Sequence, residues 1–134
     1  MARRIFVNLP VKDLQRSIKF FSHLGFSFNQ HFTDEKAACL IITDDSIYVM
    51  LITETYFRSF TKKSISDSHQ HTEVLLALEA NTREEVDRLV NRAVEAGGSV
   101  YMEPQDTGSM YGHSFADPDG HQWEILFMEK EIAL

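Results

Sequence analysis

A carboxylate lies among apolar residues near the end of the chain, in the stretch DPDGHQWEI at positions 117–125. The DPDG segment predicts a turn, because Pro presets φ, Gly tolerates positive φ and Asp bonds nearby backbone amides. The residues after it predict a strand whose side chains alternate between two faces. Glu124 then shares a face with Leu126 and Met128. An unpaired carboxylate is costly in apolar surroundings, so Glu124 lies either at a solvated strand end or in a ligand cavity.

Other segments offer side chains that could contact a ligand. Arg58 lies within YFRSF and could pair with a carboxylate or phosphate, or the segment could be an amphipathic helical turn covering a sheet edge. Tyr111 lies in SMYG, which we predict to be a loop able to close over a ligand, and His113 follows on a predicted strand. The HQH stretch at 69–71 reads as a solvated linker. The sequence has no Ser-His-Asp order, glycine-rich phosphate loop or paired-cysteine motif.

The bulk composition narrows the class of protein. The chain has 134 residues, which predicts a single domain, and its net charge of −7 argues against nucleic acid or an anionic membrane as partner. One cysteine, Cys39, excludes an internal disulfide framework and indicates a reducing compartment. It lies in the apolar run AACLII, which predicts a buried, inert thiol. No apolar run is long enough for a membrane span, and we predict a cytoplasmic protein.

The elements that must position these residues occur twice in the same order. In the first half, the strand RIFVNLPV precedes a helix with Asp13 as its N-cap and Gly25 as its stop, and FSFNQHF, AACLIIT and IYVMLIT are three strand candidates. In the second half, EVLLALEA precedes a helix with Thr82 and Glu85 as a capping box. GSVYMEP, GHSFAD and HQWEILFM complete that half as strands.

This order predicts an α+β fold of two βαβββ repeats. We place repeat one at about 4–58, a polar linker at about 59–71 and repeat two at about 72–128. Such repeats form curved, cup-shaped mixed sheets with the helices on the convex side. Their concave sides face each other or a ligand, and that is where we expect Glu124 and His113.

The sequence resembles the vicinal oxygen chelate superfamily in three features. These are the doubled βαβββ order, the stretch VKDLQRSIKFFSHLGF near the start and the stretch FADPDGHQWEI near the end. That group includes glyoxalase I, extradiol dioxygenases, fosfomycin-resistance transferases and bleomycin-binding proteins. The resemblance covers roughly residues 4 to 128. It implies a divalent metal ion inside the sheet cup, which would chelate two neighbouring oxygens of a substrate.

The family's four ligand positions transfer to this sequence one at a time. They fall on Phe6, which cannot ligate, on Met50, a soft thioether poorly suited to a hard ion, and on Glu73 and Glu124. The resemblance therefore implies a divalent metal held by Glu73 and Glu124 with an incomplete ligand set. Waters would complete such a site, which would hold Mg²⁺ or Mn²⁺ only loosely. Asn8 shares a face with Phe6 and could reach the cavity as a polar contact.

Two functions remain open. The first is a glyoxalase-like lyase or isomerase of a small oxygenated metabolite, with Glu124 as metal ligand or general base. The second is a metal-free small-molecule-binding protein similar to the bleomycin-resistance branch, which fits the missing ligands and the acidic charge. The resemblance also implies a homodimer. The predicted ligand contacts are Asn8, Met50, Arg58, Tyr111 and His113.

Overall fold

The computed structural model describes residues 1–129 and consists of two compact units. The first is Met1–Ser66 and the second begins at Asp67, so the boundary lies inside the stretch predicted as a linker. Each unit contains a four-stranded mixed sheet and a helix, which confirms the predicted α+β fold class. Within the described residues, no helix has the length and apolar character needed to cross a membrane.

The first unit builds its sheet in the order β1-β4-β3-β2. Strand β1 pairs in parallel with β4, and the other pairs are antiparallel. Helix α1 follows β1, and a short helix α2 follows β4 before a 3₁₀ turn at Arg58–Phe60. The bounds are β1 Ile5–Val11, α1 Leu14–His23, β2 Phe28–Asn29, β3 Ala37–Thr43, β4 Ile47–Thr53 and α2 Glu54–Phe57.

Helix α1 has the ends that its sequence predicts. The Asp13 carboxylate accepts a hydrogen bond from the Arg16 amide at 3.1 Å, which satisfies a free N–H of the first turn. After the helix, Gly25 adopts φ 103°, a conformation open to glycine at little cost. The buried residues Phe20 and Phe21 pack edge to face, with ring centroids 4.9 Å apart, and the helix contacts β3 and β4. Burial of this apolar face holds α1 on the first sheet.

The second unit repeats the arrangement with strand order β5-β8-β7-β6. Strand β5 is parallel to β8, and β8–β7 and β7–β6 are antiparallel. Helix α3 begins with the predicted cap: the Glu85 amide donates to the Thr82 hydroxyl at 3.1 Å, and the Glu85 carboxylate accepts from the Asn81 amide. The bounds are β5 Leu75–Glu79, α3 Arg83–Glu95, β6 Gln105–Asp106, β7 Met110–Ala116 and β8 Gln122–Met128.

Three local predictions are wrong. The strand expected in FSFNQHF is only Phe28–Asn29, because the Asn29 side chain accepts from the His31 amide and opens a 3₁₀ turn. GSVYMEP forms one isolated bridge, Ser99 with Ala116, and the edge strand begins after Pro104, whose nitrogen has no hydrogen to donate. The loop expected in SMYG is the start of β7, so Tyr111 belongs to a strand.

Candidate functional site

The two faces of the second sheet differ in what covers them. Trp123 and Ile125 are 0% and 1% exposed, and α3, with Val86 and Val90 fully buried, packs on β7 and β8. These odd-numbered β8 residues therefore point toward the helix. Glu124 points to the opposite side, together with Leu126. We call the side that carries Ala77, Ser114, Glu124 and Leu126 the Glu124 face.

Glu124 has small neighbours on both adjacent strands. Ser114 is its register partner on β7, and Ala77 is its partner on β5. Directly paired residues have Cβ atoms about 4.5–5.5 Å apart, so these side chains line up across the sheet. Glu124 itself is half-buried. Both side chains are short; Ala77 is exposed and Ser114 is buried.

A tyrosine outside the strands completes this row. The Tyr101 phenol hydrogen-bonds with the Ser114 hydroxyl, and the negative charge of Glu124 acts on it. Burial raises the pKa of Tyr101 first, and the Glu124 charge raises it further, against the lowering effect of the Ser114 hydrogen bond. The phenol is therefore protonated at neutral pH and can donate a hydrogen bond. Tyr101, Ser114 and Glu124 place a phenol, an alcohol and a carboxylate side by side.

The turn before β8 sets the position of Glu124. Asp117 is only 5% exposed, and its carboxylate accepts hydrogen bonds from the amides of Asp119 and His121 and from the Trp123 indole N–H. The Asp117 amide in turn donates to the His121 carbonyl at 2.9 Å. The DPDG motif thus forms a closed turn that is tied to the first buried side chain of β8. The Asp117 carboxylate therefore has a structural role in this turn.

Glu73, the other metal-ligand candidate, lies outside β5 and has no register partner on β8. It precedes β5 by two residues, and the β5 residue opposite Glu124 is Ala77. Across residues 1–129, no three histidine, cysteine, aspartate or glutamate side chains come together as a group that could hold a metal ion. The donor set of the described residues does not fit the metal site that the resemblance implies.

The candidates of the first unit form a separate row. Asn8 and Met50 are register partners on β1 and β4, so the structure brings them together on one face. Asn8 is exposed and Met50 half-buried. Next to them, Phe6 stacks on Tyr48 with centroids 5.1 Å apart. This row presents an amide, a thioether and aromatic rings, which suit van der Waals and single hydrogen-bond contacts better than a hard ion.

Arg58 lies in the 3₁₀ turn that continues α2, so the helical alternative for YFRSF is the one observed. Its guanidinium is 3.8 Å from the Glu54 carboxylate, and the side chains of both residues are solvent-accessible. Tyr56 and Phe60 pack edge to face at 4.9 Å, with the Lys36 ammonium 5.4 Å from the Tyr56 ring centre. A surface ion pair of this kind contributes little stability and leaves Arg58 free to exchange partners.

Tyr111 and His113 lie on the helix side of β7, and the expectation that His113 faces the ligand side is wrong. Alternation along the strand is the reason: Ser114 takes the Glu124 face, so the odd-numbered residues point to α3. Tyr111 donates to the Asp87 carboxylate of α3 and lies under the Arg83 guanidinium, 5.3 Å from its ring centre. His113 Nε2 is buried without a hydrogen-bond partner among the described residues. Ligand contact by either residue stays a prediction.

Sequence reasoning missed Tyr101. It placed this residue in a predicted strand, GSVYMEP, that the structure replaces with irregular chain. Without a regular period, nothing in the sequence indicates which side chain of such a segment points toward the sheet. The register of β7 with β8, which the structure supplies, places Ser114 opposite Glu124, and Tyr101 contacts Ser114.

Comparison with known proteins identifies the family. A profile of the Glyoxalase/Bleomycin resistance protein/Dioxygenase superfamily matches residues 4–125, and the chain belongs to that superfamily. This confirms the resemblance drawn from the two end motifs. A search of curated proteins found no match.

Solved structures agree with this assignment. The chain is similar to hypothetical protein SA1046 from S. aureus, with 35% identity, a TM-score of 0.79 and coverage of 95% of this chain and 94% of that one. A glyoxalase/bleomycin resistance protein/dioxygenase family enzyme from Burkholderia phytofirmans PsJN gives 22% identity, a TM-score of 0.77 and coverages of 95% and 99%. The fosfomycin resistance protein FosX from Listeria monocytogenes gives 21% identity and a TM-score of 0.69, with coverage of 99% of this chain and 96% of that one. The last two similarities concern the fold alone.

Proposed function

We propose that the protein is a glyoxalase-like lyase or isomerase of a small oxygenated metabolite, with Glu124 as general base. The observation that carries the proposal is the half-buried carboxylate of Glu124 between the short side chains of Ala77 and Ser114. A carboxylate within hydrogen-bond reach of a C–H next to a carbonyl can accept that proton. The electron pair moves to the carbonyl oxygen. In an α-hydroxy carbonyl compound, return of the proton to the former carbonyl carbon, with the hydroxyl proton passing to the former carbonyl oxygen, gives an isomer. Alternatively, the electron pair returns from the oxygen, a C=C bond forms and a leaving group departs with its electron pair from the β-carbon, which gives a lyase product.

The proposed chemistry uses this chain's own residues. When present, a divalent ion in this superfamily would stabilise negative charge developing on the substrate oxygen. Glu124 and Glu73 are the candidates for holding such an ion, and across residues 1–129 no group of three histidine, cysteine, aspartate or glutamate side chains supports them. We therefore assign Glu124 the role of base.

A second candidate function has support of its own. Two of the four ligand positions implied by the resemblance carry Phe6 and Met50, and Asn8 lies directly beside Met50. An apolar row with one amide can hold a small organic molecule without transforming it. A metal-free binding protein of the bleomycin-resistance kind would use that row as its ligand site.

The test is hydrogen–deuterium exchange at carbon. Purified protein, with and without Ni²⁺, Mn²⁺, Zn²⁺ or Mg²⁺, is incubated in D₂O with small α-hydroxy ketones, beginning with hydroxyacetone, and exchange is followed by proton NMR. We expect catalysed exchange without added metal and a loss of at least about 100-fold in Glu124→Gln. Glu79→Gln is the matched control. Glu79 lies on β5, on the same side of the sheet as Glu124, and is exposed.

Three results would contradict or redirect the proposal. Exchange that requires a stoichiometric metal, measured by elemental analysis, would make Glu124 a ligand rather than a base. Binding of ketones without any exchange would favour the metal-free binding protein. Equal activity of Glu124→Gln and Glu79→Gln would remove Glu124 from the site.

A further inference from the structure

The charge of the second unit is strongly one-sided. Between Asp67 and Glu129 the sequence has three arginines, no lysine and thirteen aspartates and glutamates, which gives a formal charge of −10. All three arginines lie on α3, which packs on the face opposite Glu124. Arg83 pairs with Asp106 at 3.0 Å, and Arg88 pairs with Glu85 at 3.4 Å.

The Glu124 face has no positive charge of its own. Strands β5 to β8 contain no lysine or arginine, and the face carries a second acid, Glu79, on the edge strand beside Leu126. Within the second unit, as far as Glu129, no side chain forms an ion pair with Glu124. An anionic group brought beside Glu124 would meet like charge with nothing on these strands to offset it.

Tyr101 supplies the Glu124 face with an uncharged hydrogen-bond donor. Its phenol is partly buried, bonded to Ser114 and protonated at neutral pH. A protonated phenol donates to a carbonyl or hydroxyl oxygen. With Glu124 accepting from a proton-bearing neighbour on the same ligand, the row can hold two adjacent polar groups of an uncharged molecule.

We propose that Tyr101 contacts the ligand of the Glu124 face, and that this face accepts uncharged oxygen-bearing molecules and rejects anions. The proposal rests on the proposed function, because it takes the Glu124 face as the ligand site. It adds that the ligand is uncharged and that Tyr101 donates a hydrogen bond to it.

The experiment compares lactamide with lactate, which are nearly isosteric and differ in charge. Each is titrated into uniformly ¹⁵N-labelled full-length protein, and the amide signals of Ser114, Glu124 and Leu126 are followed by NMR. We expect lactamide to bind at least tenfold more tightly than lactate. Glu124→Gln should bring the two affinities together, because the repelling charge is removed while the shape is kept.

Tyr101→Phe tests the tyrosine. We expect it to weaken lactamide binding about fivefold to tenfold, the loss of one hydrogen bond to a neutral group, and to keep the preference over lactate. Tyr56→Phe is the matched control, since Tyr56 lies on α2 of the first unit and packs on Phe60. It should leave both titrations unchanged.

The outcomes separate the two proposals. Equal binding of lactate and lactamide in the unaltered protein overturns the charge class while leaving the Glu124 base intact. Unchanged lactamide binding in Tyr101→Phe overturns the tyrosine contact. If neither compound shifts these amide signals, the Glu124 face is not the ligand site and both proposals fail.

Discussion

Asp117 shows how one side chain can secure a turn. Its buried carboxylate accepts three hydrogen bonds, two from backbone amides and one from the Trp123 indole. Burial raises the pKa of Asp117, and the His121 charge and the Trp123 hydrogen bond oppose that rise. Losing the carboxylate removes the acceptor of all three hydrogen bonds from a buried turn, which is costly.

We therefore predict that Asp117→Ala lowers the free energy of unfolding by about 3 kcal/mol. Asp87→Ala is the control, because Asp87 is exposed and accepts one hydrogen bond, from Tyr111. It should cost less than about 1 kcal/mol. Urea titrations followed by circular dichroism measure both values. Similar losses in the two variants would show that the turn does not depend on Asp117.

Tyr101 should make the protein sensitive to alkali. Its pKa in the folded state is raised above the ordinary value of 10.0, so the protonated phenol is favoured by folding. That contribution is fully present below pH 10 and is lost as pH rises through the folded pKa. The stability difference between the unaltered protein and Tyr101→Phe should accordingly shrink above pH 10. Unfolding titrations between pH 7 and 11 measure it, and parallel curves would contradict the assignment.

At the residue level, strand alternation was sufficient to predict the sheet face of some side chains and not of others. It placed Glu124 and Trp123 on opposite faces of β8, and the structure agrees. His113 was assigned to the wrong face because its strand was predicted without a register to β8. Tyr101 could not be found, since its segment has no period and reaches Ser114 only through the tertiary fold.

At the level of elements, two glycines test how closely the chain packs. Gly120 and Gly108 have nearly the same φ, 87° and 88°. An added Cβ at Gly120 would lie 2.8 Å from the His69 amide nitrogen, whereas one at Gly108 would meet nothing within 4 Å. The segment before β5 therefore packs directly on the turn that leads into β8.

We predict that Gly108→Ala costs about 1 kcal/mol through backbone strain alone, and that Gly120→Ala costs roughly 3 kcal/mol because the clash is with backbone atoms. Thermal and urea unfolding of the two variants provide the comparison. Equal losses would mean that the segment at 68–69 can move away from the turn at little cost.

The helices were easier to predict than the edge strands for a physical reason. Asp13 and Thr82 mark helix starts by side chains that bond the first free amides, and such local interactions can be read from sequence. Strands β2 and β6 have two residues each, too few to show alternation, and their positions depend on neighbouring strands. Pairing of that kind is settled by tertiary contacts.

At the level of the whole molecule, we predict a homodimer. Superfamily membership supports it, and so do large apolar side chains exposed on the outer strands of the two sheets, Ile5 at 54% and Leu75 at 51%. Size-exclusion chromatography with light scattering should give about twice the 15.4 kDa chain mass. Ile5→Ser together with Leu75→Ser should lower that mass toward one chain. A monomer in the unaltered protein would contradict the prediction.

Each half of the chain has one natural reporter. Trp123 is the only tryptophan and is wholly enclosed in the second unit, while Cys39 is the only cysteine and is wholly enclosed in the first. Indole fluorescence should therefore follow the opening of one half, and thiol labelling the opening of the other. Without any added dye site, the two signals would tell whether the halves melt together or in sequence.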